Sequence, residues 1–441
     1  MALEKVDRFS ERLVQGRFFY GWLIVAITFV TGMLIAGIGS YGLSFFVVPM
    51  AKDLGVTRTA LSSVTLFRLI PVVAVPFLGM LVDRKHGPRL LIAFGGLAAG
   101  LALIATSRAQ SLWHFYLTFG VVFGLATVAM GGQLVAPSLL SKWFVRKRGR
   151  AMAIGTMGIS SGGFIIAPLA GWLIAQHGWR TAWAVLGVVV ILAIVPLSAL
   201  FTRRAPEDAG LLPDGDAPSP AQPSPSRPRQ SLGQPEYSFT VKQALRTRAL
   251  WVLTAVQALG SLALLPVLIH QVAYIRDKGF APETAAGVAT TLAFFAIVAK
   301  LPWGYLTERV HVRWVVPLCL APTGLSLLLL VVAHSQPMLY LYAALHGLTM
   351  GGYPTLMNVA WASYFGRRHT GAIRGAVTPV GNVIGAVSPV LAGWMWDRSG
   401  SYAWPFTIFA VAWVLAGALM LLARPPSVPT TSEATSVQQE R

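Results

Sequence analysis

The feature that most constrains this chain is a recurring apolar run of about twenty residues, the length an α-helix needs to cross roughly 30 Å of hydrocarbon. Twelve such runs are read, near 22–48, 59–81, 90–106, 113–140, 151–175, 180–201, 249–273, 284–306, 315–333, 338–362, 371–395 and 403–423. An all-α integral membrane fold in the lipid bilayer is therefore expected. Composition agrees: only 12% of the 441 residues are charged, about half the usual share for a soluble domain. The formal net charge of +19 does not indicate a nucleic-acid partner, because the bases punctuate apolar spans instead of flanking a soluble core.

The distribution of bases sets an orientation. With both termini and every second loop on one side, that side holds 26 Lys and Arg and the other 7, leaving Arg68 and Lys300 inside spans. The bias places both termini and the long middle loop in the cytoplasm. Residues 1–21 mix acids and bases and lack a short apolar region with a small-residue cleavage site, so the first span reads as a retained helix. Cys319 is the single cysteine. It excludes an intrachain disulfide framework and reads as packing.

The chain divides in two. Residues 1–201 and 249–424 each hold six spans, and 202–248 reads as a solvated Pro/Ser-rich cytoplasmic linker. Residues 425–441 read as a disordered cytoplasmic tail. An internal repeat supports the division. LGMLVDRKHGPR at 78–89 is answered by WGYLTERVHVRW at 303–314, WFVRKRGRAMAIG at 143–155 by YFGRRHTGAIRG at 364–375, and PLAGW at 168–172 by PVLAGW at 389–394. Two pseudo-symmetric six-helix bundles are expected.

The segment Gly79–Arg89 turns tightly between two spans. Gly79 allows close helix approach, and Gly87 suits a position of positive φ. Asp83 can accept from the N-terminus of a neighbouring helix or pair with an arginine, while Arg84 and Arg89 supply the opposite charge. Because the acid recurs as Glu308, followed by Arg309, these five residues read as a conformational latch rather than an ordinary basic loop. It would clamp the cytoplasmic ends together in the outward-open state. The second copy departs from the pattern at Val310 and lacks the final glycine, so it is expected to hold less strongly.

The spacing of Gly79, Asp83, Arg84, Gly87 and Arg89, with its partial copy Gly304, Glu308, Arg309, resembles the major facilitator superfamily. Tyr20-Gly21-Trp22, Trp143-Phe144 with Arg148-Gly149, and Gly178-Trp179-Arg180 resemble its monocarboxylate-transporter and oxalate/formate-exchanger branch and the many bacterial members of that branch. The resemblance covers about 20–200 and 249–420. It implies twelve helices around a central cavity, alternating access, and a place in the bacterial cytoplasmic (inner) membrane. It also implies that a base in the eighth span holds a substrate carboxylate. Lys300 stands there in place of an arginine, while the family's first-span lysine and its base within the eleventh span have no counterpart.

Charges inside spans cost several kcal/mol unless they find a cavity or a partner. Arg68 lies fifteen residues before Asp83, and Lys300 eight before Glu308. On straight helices this places them on similar faces of equivalent spans, about 22 and 12 Å from the cytoplasmic end. No acid lies within the twelve spans, so the pair calls for a small organic anion, a mono- or dicarboxylate. The alternative is that Arg68 caps backbone carbonyls at a helix break near Pro71 while Lys300 snorkels. Tyr41, Gln133, Asn358 and Asn382 are further substrate-binding candidates, each equally readable as helix packing. His346 and His270 are the remaining titratable groups for proton coupling, His346 being expected to face the cavity. Clustered nucleophiles, carboxylates and metal ligands are lacking, so neither an enzyme nor a cofactor is expected. Exchange, facilitated diffusion, or a receptor that binds without transport are the alternative readings.

Overall fold

The computed structural model describes residues 18–57, 60–61, 63–131, 134–216 and 237–426, and every regular element among them is helical. Helix α1 (Gly21–Ala36) continues through a π-helical turn at Gly37–Gly42 into α2 (Leu43–Leu54). The next span is broken into α3 (Val64–Phe67), a 3-10 turn at Ile70–Ala74 and α4 (Val75–Val82). After α5 (Gly87–Ser107) come α6 (Leu112–Phe115), a second π-helical turn at Tyr116–Val122, α7 (Phe123–Met130) and α8 (Val135–Trp143). Then follow α9 (Arg148–Phe201), α10 (Val241–Leu245), α11 (Arg248–Asp277) and α12 (Pro282–Leu306). The chain closes with α13 (Val312–Val332), α14 (Gln336–Met350), α15 (Tyr353–Phe365), α16 (Thr370–Ser399) and α17 (Ala403–Met420).

Ten of these described helical runs are long and apolar enough to cross a membrane. The protein is an all-α, multi-spanning integral membrane protein. Apolar side chains such as Val73, Trp113, Leu192 and Leu325 lie exposed, as a chain that spans a bilayer allows. Two elements depart from simple spans. Helix α9 has 54 residues, or about 80 Å at the α-helical rise, far more than the hydrocarbon depth. Its break is at Gly178, whose φ of 77° and ψ of 164° only glycine adopts readily. Helices α14 and α15 have 15 and 13 residues and are joined through Gly351 and Gly352.

Small residues let the helices touch backbone to backbone. A Cβ at Gly158 would lie 2.1 Å from the carbonyl oxygen of Phe29, and one at Gly162 2.4 Å from that of Met33, so α1 lies directly on the first part of α9. The repeat is visible in α16, where Gly381 faces Gln257 and Ser261 of α11, each 3.3 Å from an added Cβ. The elements before Thr202 and those after Thr247 meet at the end that carries the basic loops. There the contacts are tightest. A Cβ at Gly79 would sit 2.5 Å from the Gly371 carbonyl oxygen, and one at Gly149 1.8 Å from that of Gly304.

The middle segment is not solvated along its length. Asp214 is buried, with a φ of 61°, and its carboxylate accepts from the amides of Val145, Arg146 and Lys147 at 3.1, 2.8 and 3.0 Å. Glu207 pairs with Arg367 across the two groups of helices, and the Phe239 amide donates to the Phe365 carbonyl at 3.0 Å. Proline-rich composition concealed these acids; Asp214 satisfies loop amides that would otherwise lack partners, and Glu207 meets a guanidinium. Residues 217–236, and the tail from 427, lie outside the described residues. Gly87 also differs from expectation. Its φ is not positive; it is small because the Leu81 carbonyl oxygen would lie 1.7 Å from a Cβ.

Replacing Gly149 or Gly79 by valine should selectively penalise this conformation, because carbonyl oxygens cannot rotate away as side chains do. Overpacking of this kind costs about 1–3 kcal/mol, a shift of roughly 5- to 150-fold between states. The basic end should become correspondingly more reactive to a thiol reagent at an introduced cysteine. Wild-type reactivity in a folded variant would remove the crossings as a determinant of state.

Candidate functional site

At each seam of the basic end, a carboxylate from one group of helices caps a helix of the other. The Asp83 carboxylate accepts from the amides of Ala372 at 2.9 Å and Gly371 at 3.4 Å, in the first turn of α16. It also pairs with Lys142 at 2.6 Å. Glu308 does the same for α9, accepting from the Arg150 amide at 2.9 Å and from Arg150 Nε at 2.9 and 3.1 Å. Unsatisfied amides and the positive end of the helix dipole both favour an anion at this position. The expected weaker hold of Glu308 is not evident in its bonds. It is as well buried as Asp83, the side chains being 9% and 12% exposed. His369, at the N-cap of α16, is held below the usual histidine range by burial, with Asp83 pulling in the other direction.

The remaining latch candidates do other work. Arg84 is exposed. Arg89 is buried and donates from Nε to the Thr202 carbonyl at 3.2 Å, holding the end of α9. Arg309 lies over the Tyr305 ring, 4.6 Å from its centroid, and donates to its hydroxyl. The functional partners missed from sequence are Lys142 and Arg150, which lay in runs of bases that positive-inside counting already accounted for.

Arg68 occupies a different setting. The span does not continue straight past it: Pro71 and Pro76 interrupt the helix, and the 3-10 turn follows immediately. The straight-helix ruler from Asp83 therefore fails, and the inferred equivalence of Arg68 with Lys300 fails with it. The guanidinium lies 4.7 Å from the Phe119 ring centroid and 5.8 Å from that of Phe123. Its Nη1 donates to the Gly39 carbonyl at 2.7 Å, so the expected alternative of a backbone-carbonyl partner is present for one nitrogen. Its Nε and Nη2 are shut from solvent and meet no hydrogen-bond partner among the described residues. Gly39 and Phe119 both belong to π-helical turns, a local irregularity frequent at functional sites.

Lys300 is 5% exposed, and no hydrogen bond or ion pair reaches it among the described residues. It lies one turn before Gly304, on the helix face that meets α9. A bond of 2.9 Å between Thr156 and Thr355 also crosses between the two groups of helices. Asn358 and Asn382 are partly buried. The Tyr41 ring packs on Gly163. No hydrogen bond or ion pair among the described residues joins Arg68 to Lys300, Asn358 or Asn382. Gln133 lies outside the described residues.

The histidines are placed differently from expectation. His346 is fully buried, with Nδ1 2.9 Å from Ser326 Oγ of α13 and its ring 5.3 Å from that of Tyr342. It is enclosed between α13 and α14 instead of facing the gap between the two groups. His270 Nε2 lies 3.1 Å from the Pro389 carbonyl oxygen, and its ring stacks on Tyr402 at 5.0 Å. Helical periodicity identifies a polar position but not which of several neighbours covers it.

The family model described as Major Facilitator Superfamily matches residues 29–281 and 250–440. Monocarboxylate transporter 12 of Mus musculus is 29% identical over 423 residues, covering 91% of this chain and 85% of that protein. Monocarboxylate transporter 13 of Rattus norvegicus is 27% identical over 432 residues, covering 96% and 92%. In fold, the E. coli fucose:proton symporter has a TM-score of 0.68 at 12% identity, covering 93% of this chain and all of that one. A human organic anion transporter has a TM-score of 0.64 at 15% identity, covering 91% and 98%. Both of these sequence relatives are vertebrate monocarboxylate transporters, and they do not single out the bacterial oxalate/formate exchangers. Matched along both groups of helices, the chain belongs to the major facilitator superfamily; it is a secondary transporter working by alternating access, not an enzyme.

Proposed function

We propose that the protein moves a small organic anion, a mono- or dicarboxylate, and that Arg68 is its principal anchor. The observation that carries this reading is the pair of unpartnered donors on Arg68. Nε and Nη2 share one edge of the guanidinium plane, and their parallel N–H bonds match the two oxygens of one carboxylate. With Nη1 tied to Gly39 and the ring faces at Phe119 and Phe123, that edge is oriented before cargo arrives. Lys300 supplies a second positive charge from the other half. The absence of acids within the predicted spans leaves a carboxylate as the natural counter-charge, and a neutral solute would leave Arg68 half-satisfied. The monocarboxylate name of the sequence relatives agrees with an anionic cargo.

The proposal includes twelve spans. Gly178 divides α9 into two, and α14 with α15 make one, which turns the ten runs into six on either side of the middle segment. The basic end is assigned to the cytoplasm with both termini, so the conformation closed there is outward-open. A bacterial inner-membrane location is also part of the proposal and rests on the resemblance to bacterial members of the branch. Proton-linked uptake is the proposed coupling, with exchange as the alternative.

Arg68→Gln should weaken anion binding about 10- to 150-fold, the loss of about 1.5–3 kcal/mol expected for charged hydrogen bonds, and Lys300→Gln should act in the same direction. Thermal-shift titration with organic anions, cations and neutral metabolites, followed by flux in proteoliposomes, checks this. A neutral or cationic verified cargo, or wild-type anion kinetics in both variants, would overturn it. Loss of fold without altered affinity in the surviving protein would leave Arg68 a structural residue.

Asp83→Asn and Glu308→Gln should each move cavity cysteines toward labelling from the basic side. If each cap contributes about 1–2 kcal/mol, the ratio of states changes roughly 5- to 30-fold. Unchanged labelling from both sides in folded protein would refute the latch.

A pH gradient, acid outside, should drive anion uptake into proteoliposomes. His346→Gln should retain that dependence, because the ring is walled off by Ser326 and Tyr342. Uptake indifferent to the gradient would assign exchange or facilitation instead; lost coupling in the variant would restore His346 as the proton carrier.

A further inference from the structure

The two seams at the basic end are built alike but are not neutralised alike. At the seam of α4 with α16, the bases find acids from the protein itself: Lys142 pairs with Asp83, Arg204 with Asp208 and Arg367 with Glu207. Two of those acids come from the folded start of the middle segment. At the seam of α9 with α12, Arg146, Lys147, Arg150, Tyr305, Glu308 and Arg309 surround a cavity of about 340 Å³. Glu308 is committed to Arg150 and to the α9 amide, and Asp216 pairs with Arg146. Lys147 and Arg309 have no acidic partner among the described residues. The cavity therefore gathers four bases, of which Arg150 is met by Glu308 and Arg146 by Asp216 of the middle segment, leaving the charges of Lys147 and Arg309 uncompensated among the described residues.

We infer that this cavity binds an anionic phosphate ester. Arginines matched to phosphate oxygens, with a lysine point charge beside them, are the recognition chemistry for such a group. A basic pocket between spans at the membrane surface is where an anionic lipid presents its headgroup, and a soluble phosphate ester offers the same oxygens from the aqueous side. The cavity has one wall from each group of helices: Arg146, Lys147 and Arg150 from one, Tyr305, Glu308 and Arg309 from the other. It exists only while this end is closed. A ligand bound there selects the closed basic end by differential affinity. The site's contents then set how long the carrier waits in this conformation, without entering the transport path. The inference depends on the seam's geometry and not on the identity of the cargo.

The test compares full-length protein in nanodiscs of phosphatidylcholine alone, in discs containing phosphatidylglycerol, and in phosphatidylcholine discs with added inorganic phosphate. Hydrogen exchange is followed at residues 148–152 and 305–310, with the buried face of α14 at 339–343, away from both seams, as an internal reference. Phosphatidylglycerol should slow exchange at the first two segments by about fivefold, as a ligand at roughly four times its Kd would, and leave the reference unchanged. The Lys147→Gln/Arg309→Gln variant should lose the slowing while retaining fold and helix content. Slowing by inorganic phosphate alone, abolished in the same variant, supports the site with a soluble source; slowing by phosphatidylglycerol alone supports a lipid source. No slowing in either arm, slowing that survives the double substitution, or equal slowing at the α14 reference overturns the inference.

Discussion

A carboxylate resting on the first turn of a helix from the opposite half is the interaction on which this conformation depends. Asp83 holds α16 and Glu308 holds α9, and glycine crossings beside them bring backbones into direct contact. Neither component suffices alone. Without the glycines the amides would stand too far away for a short carboxylate side chain, and without the carboxylates two closely apposed helix ends would present unsatisfied N–H groups to one another. The strength is also suited to a switch. Helix-terminal charge interactions are worth about 0.3–2 kcal/mol, and water can satisfy both partners when the seam opens. The exposed Arg150 adds little through its charge. Its amide, fixed in the helix, is the more durable part of the contact.

That arrangement was largely legible in the sequence, because it is local and repeated. Asp83 and Glu308 occupy matching points of the 78–89 and 303–314 segments, and the helix starts they cap belong to another matched pair, 143–155 and 364–375. A sequence repeat conveys which positions are equivalent, though not that each acid crosses to the opposite half. Span positions were legible too, since the bilayer sets their length. Gly178 and Gly400, each following one of the matched PLAGW and PVLAGW segments, have φ of 77° and 67°.

What escaped were departures from helical regularity and contacts distant in sequence. The π-helical turns at Gly37–Gly42 and Tyr116–Val122 carry no composition that marks them. Between them they place the Gly39 carbonyl and the Phe119 ring on Arg68, a pairing 29 residues apart on one side and 51 on the other. The folded part of the middle segment escaped for a related reason. Proline and serine dominate its average, whereas its structure rests on single acids, Asp214 meeting three loop amides and Glu207 meeting Arg367. His346 illustrates the limit for buried polar residues, since the period of a helix does not say whether α13 or open space lies opposite.

Symmetry is kept at the seams of the basic end and is absent around Arg68 and Lys300, the proposed cargo contacts. Gly79 meets Gly371 as Gly304 meets Gly149, so either seam separates by breaking the same kinds of contact. The interior lacks that correspondence. Arg68 is a planar donor at a broken helix between two π-helical turns, whereas Lys300 is a point charge on a continuous α12. On the proposed function, a cargo held between them would meet two unlike ends: one demands two parallel acceptors in a plane, and the other accepts negative charge from many directions. The fixed end is suited to discriminating a carboxylate from other anions. The adaptable end tolerates variation in what the rest of the molecule carries, including a second carboxylate. Selectivity for the shared functional group with latitude in the remaining skeleton is the specificity that such a division produces.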